Sequence, residues 1–202
     1  MSNTSLIYKN IKLYRILMNL LYFGKYKKRF NDIIKLFNTK ITSVNELCFG
    51  DIYVANFCKK NNIKWAGFDI NEDFIDYATK KGYNAKCQDI MKLDNLPKAD
   101  ICIIAGSLYH FYDNVEQVFK LMLNSSGTII ISEPIKNFSS STGILGKIAR
   151  ISANAGKGNE TFRYNKKSFI ELIKNMKNKF NFDYRIIYEK KDILIIIEND
   201  RN

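Results

Sequence analysis

The chain of 202 residues contains two prolines, one histidine and one tryptophan. So few prolines leave long stretches free to form hydrogen-bonded backbone, since proline removes a donor and fixes φ. No apolar run reaches the ~18 residues that a membrane-spanning helix needs. The longest near the amino end, Ile16 to Phe23, is broken by Asn19. No basic leader with a small-residue cleavage site is present, so a cytoplasmic protein is expected. The four cysteines, Cys48, Cys58, Cys87 and Cys102, form no C-x-x-C pair and no zinc spacing,. They fall in apolar segments and read as reduced core residues. With one histidine and scattered cysteines, no metal site of the Cys/His type is expected. The motif G-x-G-x-x-G is absent as well, which counts against a nicotinamide dehydrogenase.

What is present is lysine, asparagine and isoleucine: 26, 23 and 29 residues, against six arginines. An AT-rich genome produces such a composition, because the codons of all three can be rich in A and T. The formal net charge of +12 still attracts anions, whatever its origin. Hydrophobic residues make up 46%, enough for one domain with a sizeable core.

Residues 1–40 read as a helical cap. Leu6, Ile7, Leu13, Ile16, Leu17, Leu20 and Leu21 recur at three-to-four spacing,. Gly24 interrupts, the basic segment Lys25 to Arg29 follows, and Phe30, Ile33, Ile34 and Phe37 continue a second helical pattern. The same pattern also suits a peripheral membrane helix or a substrate lid. From residue 41 to 202 strands and helices alternate. Strands are predicted at Ile41 to Cys48, Ile63 to Ile70, Tyr83 to Asp89, Asp100 to Ala105 and Thr128 to Ser132. Helices are predicted at Asp51 to Asn61, after Asn71, at Asp113 to Asn124 and at Lys166 to Lys177. Strands this apolar on both faces belong inside a parallel sheet covered by helices. Phe182 to Tyr188 and Ile193 to Glu198 are joined by only four residues, too few for a parallel crossover, so they must pair antiparallel. The stretch 138–165 reads as a loop over the substrate, with a short helix at Ile144 to Ile151.

In an open α/β sheet, ligands bind beyond the carboxyl ends of the strands. The first strand ends Glu46-Leu47-Cys48-Phe49-Gly50, where a glycine lets a ligand approach the backbone at a helix start. The second ends at Asp69-Ile70, 23 residues after Glu46, and an acidic side chain there can accept the hydroxyls of a ribose. The third ends at Asp89-Ile90, the fourth at Ala105-Gly106-Ser107-Leu108-Tyr109-His110-Phe111, and the fifth at Glu133-Pro134. Taken singly, Asp69 reads equally as a helix N-terminal charge and Gly50 as a turn. Their joint register places all of these residues at one edge of the sheet.

On these residues and this element order, residues 41 to 198 resemble the class I S-adenosylmethionine-dependent methyltransferases. The resemblance implies a Rossmann-like α/β fold: a seven-stranded, mostly parallel sheet with a carboxyl-terminal antiparallel hairpin and helices on both faces. It implies S-adenosylmethionine as cofactor, held by Glu46, Gly50, Asp69, Ile70, Asp89, Ile90, Ala105 and Gly106. The family usually carries glycine where this chain has Cys48, and often again near Ile52. The amino-methylating members that act on bases carry an Asn/Asp-Pro-Pro-aromatic motif where this chain reads Ser107-Leu108-Tyr109-His110. The acceptor expected is therefore a small molecule, with a hydroxyl or carboxyl oxygen first.

His110, with an unperturbed pKa suited to a base, and Tyr109 are the catalytic candidates. The alternative for each is a structural role. Glu133, Arg163 and Tyr164 are the candidate acceptor contacts. The alternative for Glu133 is a pair with Lys136, and for Arg163 a pair with Glu160. Two rival functions remain at this point: an RNA methyltransferase, favoured by the charge, and a non-catalytic binding protein of the same fold, favoured by the altered glycine loop.

Overall fold

The structure, a computed structural model, describes residues 10–135, 162–189 and 191–199. Residues 138–161 of the expected loop at 138–165, with the helix expected at 144–151, lie outside the described residues. One seven-stranded sheet organises the rest, in the order β3-β2-β1-β4-β5-β7-β6. Its strands are β1 (Ser43–Leu47), β2 (Lys64–Asp69), β3 (Asn84–Cys87), β4 (Ala99–Ala105), β5 (Ser126–Pro134), β6 (Asp183–Glu189) and β7 (Asp192–Glu198). Pairing is parallel from β3 to β5, and β7 pairs antiparallel with both β5 and β6. The isoleucine runs explain the centre. Ile101, Ile103 and Ile104 of β4, Ile129 to Ile131 of β5 and Ile193 and Ile195 of β7 are all at most 1% exposed, as in strands covered on both faces.

The helices are α1 (Ile11–Leu21), α2 (Tyr26–Ile34), α3 (Tyr53–Lys60), α4 (Glu72–Lys80), α5 (Val115–Ser125) and α6 (Lys166–Phe180). Asn71 caps α4, its side chain accepting from the amides of Asp73 and Phe74, and Glu72 and Asp73 suit the positive end of the helix. Asn165 and Ser168 cap α6 reciprocally,. One core layer joins α5 and α6 to the sheet through Phe119, Met122, Phe169 and Ile173. The opposite layer joins α1 to α4 through Tyr26, Phe30, Ile33, Val54 and Phe74.

Two expectations need correction. The connection in the hairpin is two residues rather than four, because Glu189 still pairs with Ile193 and the ladder runs on. Cys87 is exposed on the edge strand β3 and Cys48 is half-buried, so only Cys58 and Cys102 are core thiols. β3 is an edge strand with one pairing partner, β2, which is why an apolar neighbourhood in sequence did not bury Cys87.

Candidate active site

The carboxyl ends of β1, β2 and β4 meet at one edge, and the turn after β1 is built by backbone conformation. Cys48 holds φ at +51° and Gly50 at +55°, a region that glycine enters freely and an L side chain enters at about 1–2 kcal/mol. Burial, with the carboxylates of Asp69 and Asp89 beside it, holds the Cys48 thiol well above its usual range. The Gly50 amide donates to Asp69 Oδ2 at 3.1 Å, and the Asn71 amide to Oδ1 at 2.9 Å. Burial pushes the Asp69 carboxyl up to about 6. A Cβ on Gly50 would lie 3.1 Å from the Tyr14 hydroxyl of α1. The turn is closed by a bidentate ion pair: Arg15 donates to Asp51 at 2.9 and 2.7 Å. Ile52, at the place of the family's further glycine, is 3% exposed and packs in the core.

Glu46 lies beneath this turn. It is 1% exposed, its Oε2 accepts from the Trp65 indole at 2.8 Å, and Oε1 has no partner. Burial pushes its carboxyl up to about 8. Asp89 is half-buried and accepts from the Met91 amide at 3.2 Å, opening the short 3-10 helix Ile90–Lys92, while Ile90 itself is core. Ile70 and Ala105 are partly buried.

Gly106 holds φ at +74°, and a Cβ there would collide with Arg29 Nη1. Arg29 was missed in the sequence. Its side chain is 4% exposed, its Nε donates to Asp192 Oδ2 at 2.7 Å, and its Nη2 donates to the Tyr22 hydroxyl. The available signal was a single arginine at the end of a lysine segment.

The second group of candidates gathers around Tyr109. Its ring lies 4.0 Å from the His110 ring and 3.8 Å from the Arg163 guanidinium. Burial, and then the charge of Arg163, press His110 down to about 4. Its Nδ1 is buried and has no partner. Glu133 is fully buried and accepts from the amides of Leu108 and Tyr109 at 3.1 and 3.2 Å. Burial raises it to about 8. Its carboxyl therefore fixes the turn after β4. Tyr164 is 3% exposed, with a hydroxyl that has no partner. Its neighbour Phe162 stacks on Tyr112 at 3.7 Å. Lys136 and Glu160, the alternative partners of Glu133 and Arg163, lie outside the described residues. No group of three or more potential metal ligands occurs among the described residues.

Strand order, direction and the antiparallel β7 together define the class I methyltransferase fold. Among solved structures of that fold, a putative S-adenosylmethionine-dependent methyltransferase from Methanococcus maripaludis aligns with a TM-score of 0.68 and 15% identity, covering 100% of this chain and 98% of that one. A SAM-dependent methyltransferase from Archaeoglobus fulgidus aligns with a TM-score of 0.64 and 16% identity, over 92% of this chain and 99% of that one. Human N-acetylserotonin methyltransferase, solved in complex with SAM, aligns with a TM-score of 0.62 and 16% identity, over 96% of this chain and 57% of that one. The chain thus spans little more than half the length of the human protein. No family model and no curated protein matches the sequence.

Proposed function

We propose that this protein transfers a methyl group from S-adenosylmethionine to an oxygen of a small-molecule acceptor. The observation that carries the reading is Asp69, a carboxylate at the end of β2 turned onto the amide of Gly50. Each carboxylate oxygen keeps lone-pair capacity after accepting one amide, so the pair of ribose hydroxyls can still donate to it. Asp89 stands on the same side for an adenine amino group. Gly50 and Gly106 let the side chains of Tyr14 and Arg29 close on the two turns that would hold the cofactor. Arg29 Nη1, beside Gly106, offers a cation for the cofactor's carboxylate,.

The cofactor, when bound, supplies an electrophilic methyl group on a sulfonium. The residues around Tyr109 then orient the acceptor oxygen and exclude water. His110 is neutral at pH 7, so its unpartnered Nδ1 is available to hold an acceptor proton. Burial keeps His110 neutral, and the charge of Arg163, which adds to that, also favours an acceptor that arrives as an anion, a carboxylate above all. Such an acceptor needs little from a base. The rival reading, RNA methylation, rests on the +12 charge and would show as a steep loss of RNA affinity with salt.

Calorimetric titration with S-adenosylhomocysteine tests the proposal. Micromolar binding is expected, and Asp69→Ala should weaken it about 10- to 100-fold, the worth of hydrogen bonds to a charged acceptor. Folded protein that binds neither S-adenosylhomocysteine nor S-adenosylmethionine would indicate the non-catalytic reading. Undiminished binding by Asp69→Ala would show that the ribose is held elsewhere.

A further inference from the structure

Helix α1 has two apolar faces. One turns Tyr14, Met18 and Leu21 toward the core layer shared with α2 to α4. The other carries Leu13, Ile16 and Leu20, which are 48, 59 and 67% exposed. These three recur at i, i+3 and i+7, a stripe about 10 Å long on one side of the helix. Phe23 extends the stripe past the helix end at 70% exposure. Its φ of +49° is a conformation that a bulky residue seldom adopts. A helix that is apolar nearly all round is ordinarily contacted on two sides.

Charge indicates what the second side meets. The first 31 residues hold seven basic side chains and no acidic one before Asp32. Arg15, Arg29 and Lys28 are engaged by Asp51, Asp192 and Asp32, while Lys12 on α1, Lys25 just past its end and Lys27 at the start of α2 are exposed. We infer that this face of α1 docks in the plane of an anionic lipid bilayer surface, its aliphatic side chains among the acyl chains and its lysines at the headgroups. Such an apolar stripe rimmed by lysine is the pattern of interfacial helices. A second copy of the chain would bring like charges together across the contact. A nucleic acid would use the lysines and leave the aliphatic stripe in water.

The full-length protein is to be sedimented with vesicles of phosphatidylcholine containing phosphatidylglycerol, and with vesicles of phosphatidylcholine alone. Partitioning is expected only with the anionic vesicles. The double variant Ile16→Gln, Leu20→Gln should lower the partition coefficient about tenfold or more. Lys12→Gln and Lys25→Gln should lower it about fivefold each. Circular dichroism melts of the same variants check folding without reference to any cofactor, so this test stands whether or not S-adenosylmethionine binds. Three results would overturn the inference. The first is absence of vesicle binding. The second is loss with the lysine variants but not the glutamine pair at 16 and 20, which is adsorption to any polyanion, RNA included. The third is a dimer in solution that the Ile16→Gln, Leu20→Gln variant dissolves.

Discussion

His110 shows how one residue's role changes between its position in the sequence and its place in the fold. The sequence puts it just past β4, where an acceptor would lie. The fold then buries it beside Arg163 and depresses its pKa to about 4. The unfolded chain takes up a proton below about 6.5, while the folded chain refuses it until about 4. Stability should therefore fall as pH drops through that interval, by an amount on the order of 2–3 kcal/mol. Thermal melts of wild type against His110→Ala between those two pH values isolate the effect; parallel curves would mean that the histidine titrates normally. In turnover, His110→Ala should leave S-adenosylhomocysteine affinity unchanged; it should lower kcat about 100-fold or more for a hydroxyl acceptor and far less for a carboxylate, which needs little from a base. Asp69 and Gly50 were legible because a carboxylate and a glycine at strand ends are read from local spacing. Arg29 and Tyr14 were not. What commits them is contact with Asp192 and Gly50, and no periodicity within α1 or α2 encodes a partner 163 residues away.

Among the elements, the pairing of α2 with β7 is the most exposed to test. Arg29 and Asp192 are 4 and 5% exposed at the side chain, and a buried charge stripped of its partner costs about 3–5 kcal/mol. Asp192→Asn should accordingly lower stability by about 3 kcal/mol in urea melts. Adding Arg29→Met should cost less than the two single losses combined, because the second change removes the stranded charge. Strict additivity would mean that the pair carries no coupling. Most strands were readable as elements for a physical reason: β4, β5 and β7 are isoleucine runs buried on both faces, and only a central sheet position accommodates those. Their ends were less readable. β5 begins two residues early, at Ser126, because Ala99 of β4 pairs with it there, and ends two late, at Pro134, because β7 pairs with it as far as Asp192. A ladder partner is a tertiary fact.

For the molecule as a whole, the open question is whether residues 1–40 form an appendage or a wall of the core. Sequence pattern alone separates them, since a helical period gives way to alternating strands and helices near residue 41. The contacts join them instead. Tyr26, Phe30 and Ile33 are at most 3% exposed and share one core layer with Phe49, Ile52, Val54 and Ile103. Phe30 stacks on Tyr53 at 5.1 Å. Removal of residues 1–37 would uncover that layer and strand Asp51 and Asp192 without their arginines. Burial of a single large apolar side chain is worth about 1.5–3 kcal/mol, and a domain's net stability is about 5–15 kcal/mol. Losing several such residues with two ion pairs exceeds the margin. The truncated chain should therefore fail to show a cooperative melt, and in the intact protein the tyrosine near-ultraviolet signal and the far-ultraviolet signal should unfold in one coincident transition. A truncated protein that melts cooperatively, or an intact one whose two signals separate, would establish the cap as an independent element. In that case the closure of the Gly50 turn by Tyr14 and Arg15 would be an adjustable feature of the site rather than part of its frame.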